Sequence, residues 1–236
     1  VSDPDWTQLS LTGADDVVHY RRDEVLAFDP SQATNGERVA DLARLGYLPS
    51  PVLDPTYGYG GMWTVHQPDR LTRVDANPER GVQVADFTDL SFDDRHFASC
   101  LYDPPYAYRG TADGTDDFDD RYGTDTYRLK ADITELVLAG AVECGRVTDE
   151  FLIVKCQRSV VAARLVPQPY LVLRCMEEQG WRYRDELHLS SYRPQPAGRR
   201  QINSRSNYST FLVLERHPRP RVRKGTNDQQ HVERPE

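Results

Sequence analysis

The sequence predicts an α/β fold: an open, mostly parallel sheet with helices on both faces and an antiparallel hairpin at its C-terminal edge. Three observations carry this expectation. Short apolar runs at 51–54, 71–75, 81–86, 97–102 and 151–156 alternate with polar, helical or turn-forming segments, the rhythm of parallel strands joined by crossovers. Asp54, Asp75, Asp86 and Asp103 stand at the ends of the first four runs. Parallel strands bring their C-terminal ends to one edge, so the four acids should gather around one crevice. Two later runs, 181–191 and 209–215, are joined by a polar stretch and should pair antiparallel.

In chain order, residues 1–30 read as polar and irregular, with short apolar contacts at Val17–Tyr20 and Val25–Phe28. Thr34 and Glu37 have the spacing of a capping box, which starts a helix that Gly46 stops. Pro49 and Pro51 bracket a turn before the first strand. Met62 to His66 opens a short helix or continues the loop. A helix is expected within Tyr127–Gly140, burying Ile133, Leu136, Val137 and Leu138. Another runs from Pro169 to Gln179, with Tyr170, Leu171, Leu173, Arg174 and Met176 toward the sheet or its rim. Residues 107–126, dense in Asp, Gly and Thr, read as a mobile loop. The layout is an N-terminal extension over 1–45, a main α/β domain over 46–216 and a mobile tail over 217–236.

The chain has 236 residues, which suits one domain of this class. A formal net charge of -8 argues against a protein that coats nucleic acid indiscriminately. Acid concentrates at 113–120, while base concentrates at Arg199, Arg200, Arg205 and the tail, so a local basic surface fits on an acidic body. Cys100, Cys144, Cys156 and Cys175 lack CxxC spacing and read as free thiols in a reducing compartment, with no metal site expected. There is no signal-peptide pattern and no apolar run near 18 residues, so a cytoplasmic protein without a membrane partner is expected.

Two motifs carry chemistry. Asp54-Pro55-Thr56-Tyr57-Gly58-Tyr59-Gly60-Gly61 follows a strand, where glycines let a ligand approach the backbone closely. The turn has no Lys-Ser/Thr pair for phosphates and no GxGxxG order. Asp75, 21 residues beyond Asp54, is placed to accept ribose hydroxyls, and Asp86 to accept from an adenine amino group. Such a cluster of acids repels a pyrophosphate but suits a sulfonium and an α-amino group. Asp103-Pro104-Pro105-Tyr106 ends the fourth strand. Two prolines make a stiff turn with free carbonyls, Asp103 adds an anionic acceptor and Tyr106 a flat ring. Together they suit a planar group carrying an NH2. Taken alone, each motif also reads as an ordinary turn.

In this order, about 50 residues apart, the two motifs resemble those of S-adenosylmethionine-dependent DNA amino-methyltransferases, of the adenine-N6 type with an Asp-Pro-Pro-Tyr motif. The resemblance spans roughly residues 50 to 215 and implies a Rossmann-like methyltransferase sheet. It implies S-adenosylmethionine as cofactor, with contacts from Asp54, Pro55, Tyr57, Gly58 and Gly60 in the glycine turn, Asp75 at the ribose, and Asp86 and Phe87 at the adenine. It makes Asp103, Pro104, Pro105 and Tyr106 catalytic: Asp103 and the Pro104 carbonyl accept from the amino group, and Tyr106 stacks on a base flipped from duplex DNA. The strand from Phe151 helps wall the base pocket, with Lys155 at its exit.

The sequence departs from the family pattern in three ways. Tyr59 is bulky where a small residue is more usual. The loop after Tyr106 is acidic. The chain is short of recognition apparatus: Arg199, Arg200, Gln201, Asn203 and Arg205 form its best DNA-facing segment. This implies a short site, low specificity, or recognition supplied by a homodimer partner or a separate specificity protein. Two alternatives stay open: the same chemistry on RNA or a protein glutamine, and a degenerate methyltransferase fold serving as a nucleic-acid or partner-binding module.

Overall fold

The structure, a computed structural model, describes residues 6–9, 18–21, 33–105, 130–161, 164–190, 203–204 and 206–216. Near the N-terminus, β1 (Trp6–Leu9) pairs antiparallel with β2 (Val18–Arg21), where the sequence reads as irregular. Helix α1 (Asn35–Arg44) follows, started as expected by the reciprocal Thr34–Glu37 capping box.

A seven-stranded sheet forms the body. Its strands are β3 (Val52–Asp54), β4 (Leu71–Asp75), β5 (Gln83–Val84), β6 (Phe97–Tyr102), β7 (Thr148–Cys156), β10 (Trp181–Ser190) and β11 (Tyr208–Arg216). The order across the sheet is β10-β11-β7-β6-β3-β4-β5. The pairs β3–β4, β3–β6, β4–β5 and β6–β7 are parallel. The last strand, β11, runs antiparallel to both β7 and β10, so the expected C-terminal hairpin forms one edge and its second strand lies on the inside. This is the layout of a Rossmann-like methyltransferase sheet. The strand order reverses between β3 and β6, and an open sheet places its ligand outside the carboxyl ends at such a switch point.

Period-two alternation divides the core into two layers. Val52, Leu101, Ile153, Phe211 and Val213 pack with Val39 and Leu42 of α1 and with Met62 and Trp63. Leu53, Cys100, Leu152, Val154, Leu212 and Leu214 face the other way. There they meet α2 (Lys130–Val147) through Ile133, Val137, Ala141 and Cys144, and α3 (Gln168–Glu178) through Val172 and Met176. Helices therefore cover both faces.

Several local expectations change. Gly140 does not end α2. The apolar stripe continues through Ala141, Cys144 and Val147, and Arg146 closes the last turn by pairing with Glu143 at 2.7 Å. In α3 the buried face is Gln168, Val172 and Met176, at i, i+4 and i+8, so Tyr170 points outward. The third strand shrinks to two exposed residues. A small hairpin, β8 (Ser159–Val161) with β9 (Arg164–Val166), interrupts the path from β7 to α3. No helix among the described residues is long and apolar enough to cross a membrane.

Candidate functional site

A cleft of about 330 Å³ opens at the switch point, lined by the glycine turn, Asn35, Met62, Asp75, Arg80, Phe87, Asp103 and Pro105. Three of the four strand-end acids converge here, in different ways.

Asp54 lies behind the cleft wall. It is 1% exposed, and its carboxylate accepts from Trp63 Nε1 at 2.6 Å and from the Thr56 N–H at 3.0 Å. Its role is to brace the glycine turn against the Gly61–Trp63 3₁₀ turn. Burial pushes its pKa up to about 7, against the pull of the Trp63 and Thr56 hydrogen bonds and with help from the charges of Asp103 and Asp75. The sign of the pH effect follows. From about pH 4 to 7 an unfolded chain has released this proton while the folded chain still holds it, so Asp54 makes stability fall as pH rises through that window. The wild type should therefore lose more stability than Asp54→Asn between pH 5 and pH 8, measured as urea midpoints. Equal losses would contradict the assignment.

Asp75 faces the cleft from the end of β4. One carboxylate oxygen accepts from the Gly58 N–H at 2.7 Å and the other from the Asn77 N–H at 2.9 Å. It thus fixes the glycine turn while keeping lone pairs for further donors. Gly58 and Gly60 have φ of 57° and 75°, and a Cβ on Gly60 would sit 2.7 Å from the Tyr57 hydroxyl. Gly60→Ala should cost about 1–2 kcal/mol from the left-handed backbone alone. Gly61→Ala, with open space around the added carbon, should be nearly neutral in the same denaturation measurement. Tyr59, which the sequence sets beside the ligand, swings out to 79% exposure, its ring 4.0 Å beneath the Arg80 guanidinium.

Asp86 does not line the cleft. Its exposed carboxylate caps its own turn, accepting from the Thr88 N–H and hydroxyl, both at 2.8 Å, a local closure that Asp favours. Phe87 lines the cleft instead, its ring 5.3 Å from that of Tyr102.

Asp103 stands just past β6, and its N–H donates to Thr56 Oγ1 at 3.0 Å, which ties the two motifs together. Asp103 Oδ2 pairs with Lys155 Nζ at 3.2 Å. Its Oδ1 is buried with no partner. Burial raises the Asp103 pKa, and Lys155 opposes that rise through charge and hydrogen bond. Lys155 is not the solvated strand-end lysine that its position suggests: it is 5% exposed. Pro104 is buried and Pro105 lines the cleft. Tyr106 lies outside the described residues, as do Arg199, Arg200, Gln201 and Arg205. Asn203 is described and half-buried. Its neighbours are held at the end of β7, where Arg158 donates to the hydroxyls of Ser204 and Ser206, and Gln157 to the Ser206 carbonyl.

Sequence reasoning missed Thr56, Trp63, Asn35 and Arg80 as parts of the site. Thr56 and Trp63 follow Asp54 closely enough to be its donors, which is a readable signal. Asn35 Oδ1 is buried without a partner at the cleft, and no local pattern marks it.

No protein-family model and no curated protein matches the chain. Solved structures align with it at low identity. A magnesium protoporphyrin IX methyltransferase from Synechocystis PCC 6803, with SAH bound, is 12% identical, with 77% of this chain and 81% of the other covered and a TM-score of 0.47. A SAM-dependent methyltransferase from Archaeoglobus fulgidus is 11% identical, with 78% and 96% covered and a TM-score of 0.47. One from Aquifex aeolicus is 12% identical, with 80% and 99% covered and a TM-score of 0.37. Likenesses at this level assign no activity, so the site's chemistry rests on its own residues.

Proposed function

We propose that the chain transfers a methyl group from S-adenosylmethionine to the exocyclic N6 amino group of an adenine flipped out of duplex DNA. The observation that carries this reading is the carboxylate of Asp103: one oxygen is neutralised by Lys155, and the other is a buried acceptor with no partner at the cleft. A buried acceptor left unpaired is costly, and an amino N–H satisfies it.

The residues present fit the cofactor. Asp75 offers acceptors for ribose hydroxyls and Phe87 a ring for an adenine face, while Met62 and Pro55 supply apolar wall. Asn35 Oδ1, the second orphaned acceptor at the cleft, suits an ammonium. The anionic Asp75 favours a cationic ligand over a polyphosphate. When bound, the cofactor would supply a methyl group on a cationic sulfur: the bonding pair would return to sulfur as the amino nitrogen gained the methyl and released one proton to water. Asp103 Oδ1 accepts one N–H of the amino group and the Pro104 carbonyl the other, which aims the nitrogen lone pair. Positioning and electrostatics carry the rate. Tyr106, by resemblance, stacks on the base. The segment holding Asn203, tethered beside the end of β7 by Arg158 and Gln157, is the candidate DNA contact.

Calorimetry with S-adenosylmethionine, followed by labelled-methyl transfer to duplex DNA, RNA and protein, tests this reading. Binding with label in DNA supports it. Transfer only to RNA or protein would move the substrate, and no binding at millimolar cofactor would favour a binding module.

A further inference from the structure

We infer that Lys155 is a positioning residue for this reaction: from the penultimate place in β7 it holds Asp103 as an anion by one oxygen, so that the other faces the cleft solely as an acceptor. The inference rests on the proposed transfer and names what makes its target an N–H donor.

The geometry comes from register. Val154 of β7 is paired with Tyr102 of the parallel β6, so Lys155, still in β7, comes level with Asp103, the first residue past β6. Lys155 also lies opposite Phe211 of β11, its Nζ 5.7 Å from that ring. A lysine this buried carries a large desolvation penalty unless a counter-charge meets it, and Asp103 Oδ2 does so at 3.2 Å. Among the described residues, three other titratable groups feel the charge of Asp103. Asp54 lies at the end of β3, Cys156 follows Lys155 on β7, and Tyr102 precedes Asp103 on β6.

Asp54 and Asp103 therefore form an unequal pair. Burial raises both, and the charge of Asp103 further discourages ionisation of Asp54. Only Asp103 has a cation, whereas Asp54 has the neutral N–H of Trp63. Environments that push two carboxyls apart assign them different protonation states. Protonated Asp103 would carry a hydroxyl able to donate, and the site would then accept a carbonyl as readily as an amino group. Lys155 prevents this.

The test labels aspartate carboxyls with 13C and follows Asp103, assigned by its loss in Asp103→Asn, through a pH titration of the intact chain. In Lys155→Met the Asp103 midpoint should rise by about one pH unit or more; in Lys155→Arg it should stay near wild type. An unchanged midpoint in Lys155→Met, or an equal rise in Lys155→Arg, would overturn the inference. Should Lys155→Met fail to fold, Lys155→Gln takes its place under the same criterion. These readouts need no methyl transfer, so they fail separately from the proposed function. Where transfer is measured, Lys155→Met should lower kcat, leave KM for the methyl donor unchanged and shift the acid limb of the kcat profile upward.

Discussion

Asp103→Ala is expected to lower methyl transfer by at least about a hundredfold, the scale of losing one preorganised electrostatic contact to the reacting group, while affinity for the methyl donor stays unchanged. The split follows from the site's construction. The glycine turn is organised by Asp54 and Asp75 through their own hydrogen bonds, so deleting the Asp103 side chain leaves it standing. The backbone N–H of Asp103 that binds Thr56 is also retained. Asp103→Asn is the sharper variant. It keeps the shape but removes the anion facing Lys155, and it offers the cleft either an amide oxygen or an amide N–H. It should recover little of the lost rate. Near-normal transfer by Asp103→Ala, measured with labelled methyl donor at saturation, would show that the catalytic assignment is wrong.

Trp63→Ala should destabilise the chain more than any surface change, by roughly 3–5 kcal/mol for the lost core volume alone. Trp63 is 2% exposed and packs with Val39, Leu42 and Val52, and its indole N–H is the 2.6 Å donor to Asp54. Trp63→Phe separates the two contributions. It retains most of the apolar contact and removes the donor, which should cost about 1–3 kcal/mol. It should also extend the window in which stability falls with rising pH above 7, because the Trp63 hydrogen bond is what lowers the Asp54 pKa most. A Trp63→Phe chain within about 0.5 kcal/mol of wild type, the range of an inconsequential substitution, would mean that this bond does not brace the turn.

Much of this architecture was legible because each strand is short, apolar and followed by an acid. Pro51–Asp54, Leu71–Asp75 and Phe97–Tyr102 read directly as strands; the last two are strands over those bounds, and the first begins one residue later, at Val52. The Thr34–Glu37 capping box is local chemistry and needs no tertiary information. Other features depend on packing. That α2 continues past Gly140 is decided by the burial of Ala141, Cys144 and Val147 beneath the sheet. That Asp54 braces the turn while Asp75 faces the cleft depends on which side of the strand-end turn each carboxylate finds a donor. Asp86 read like the other three acids but closes on Thr88, two residues away. The pairing of Lys155 with Asp103 spans 52 residues of sequence and follows only from the parallel register of β6 and β7, which periodicity cannot supply.

The central claim is that Asp103 presents an adenine amino group of DNA to a methyl donor seated in the cleft beside it. The most direct measurement is mass spectrometry of nucleosides from mixed-sequence duplex DNA incubated with the chain and isotopically labelled S-adenosylmethionine. The account predicts labelled N6-methyldeoxyadenosine, absent when Asp103→Ala replaces the wild type. Labelled product on cytosine only, or no labelled nucleoside from any duplex under conditions where the cofactor binds, would contradict it.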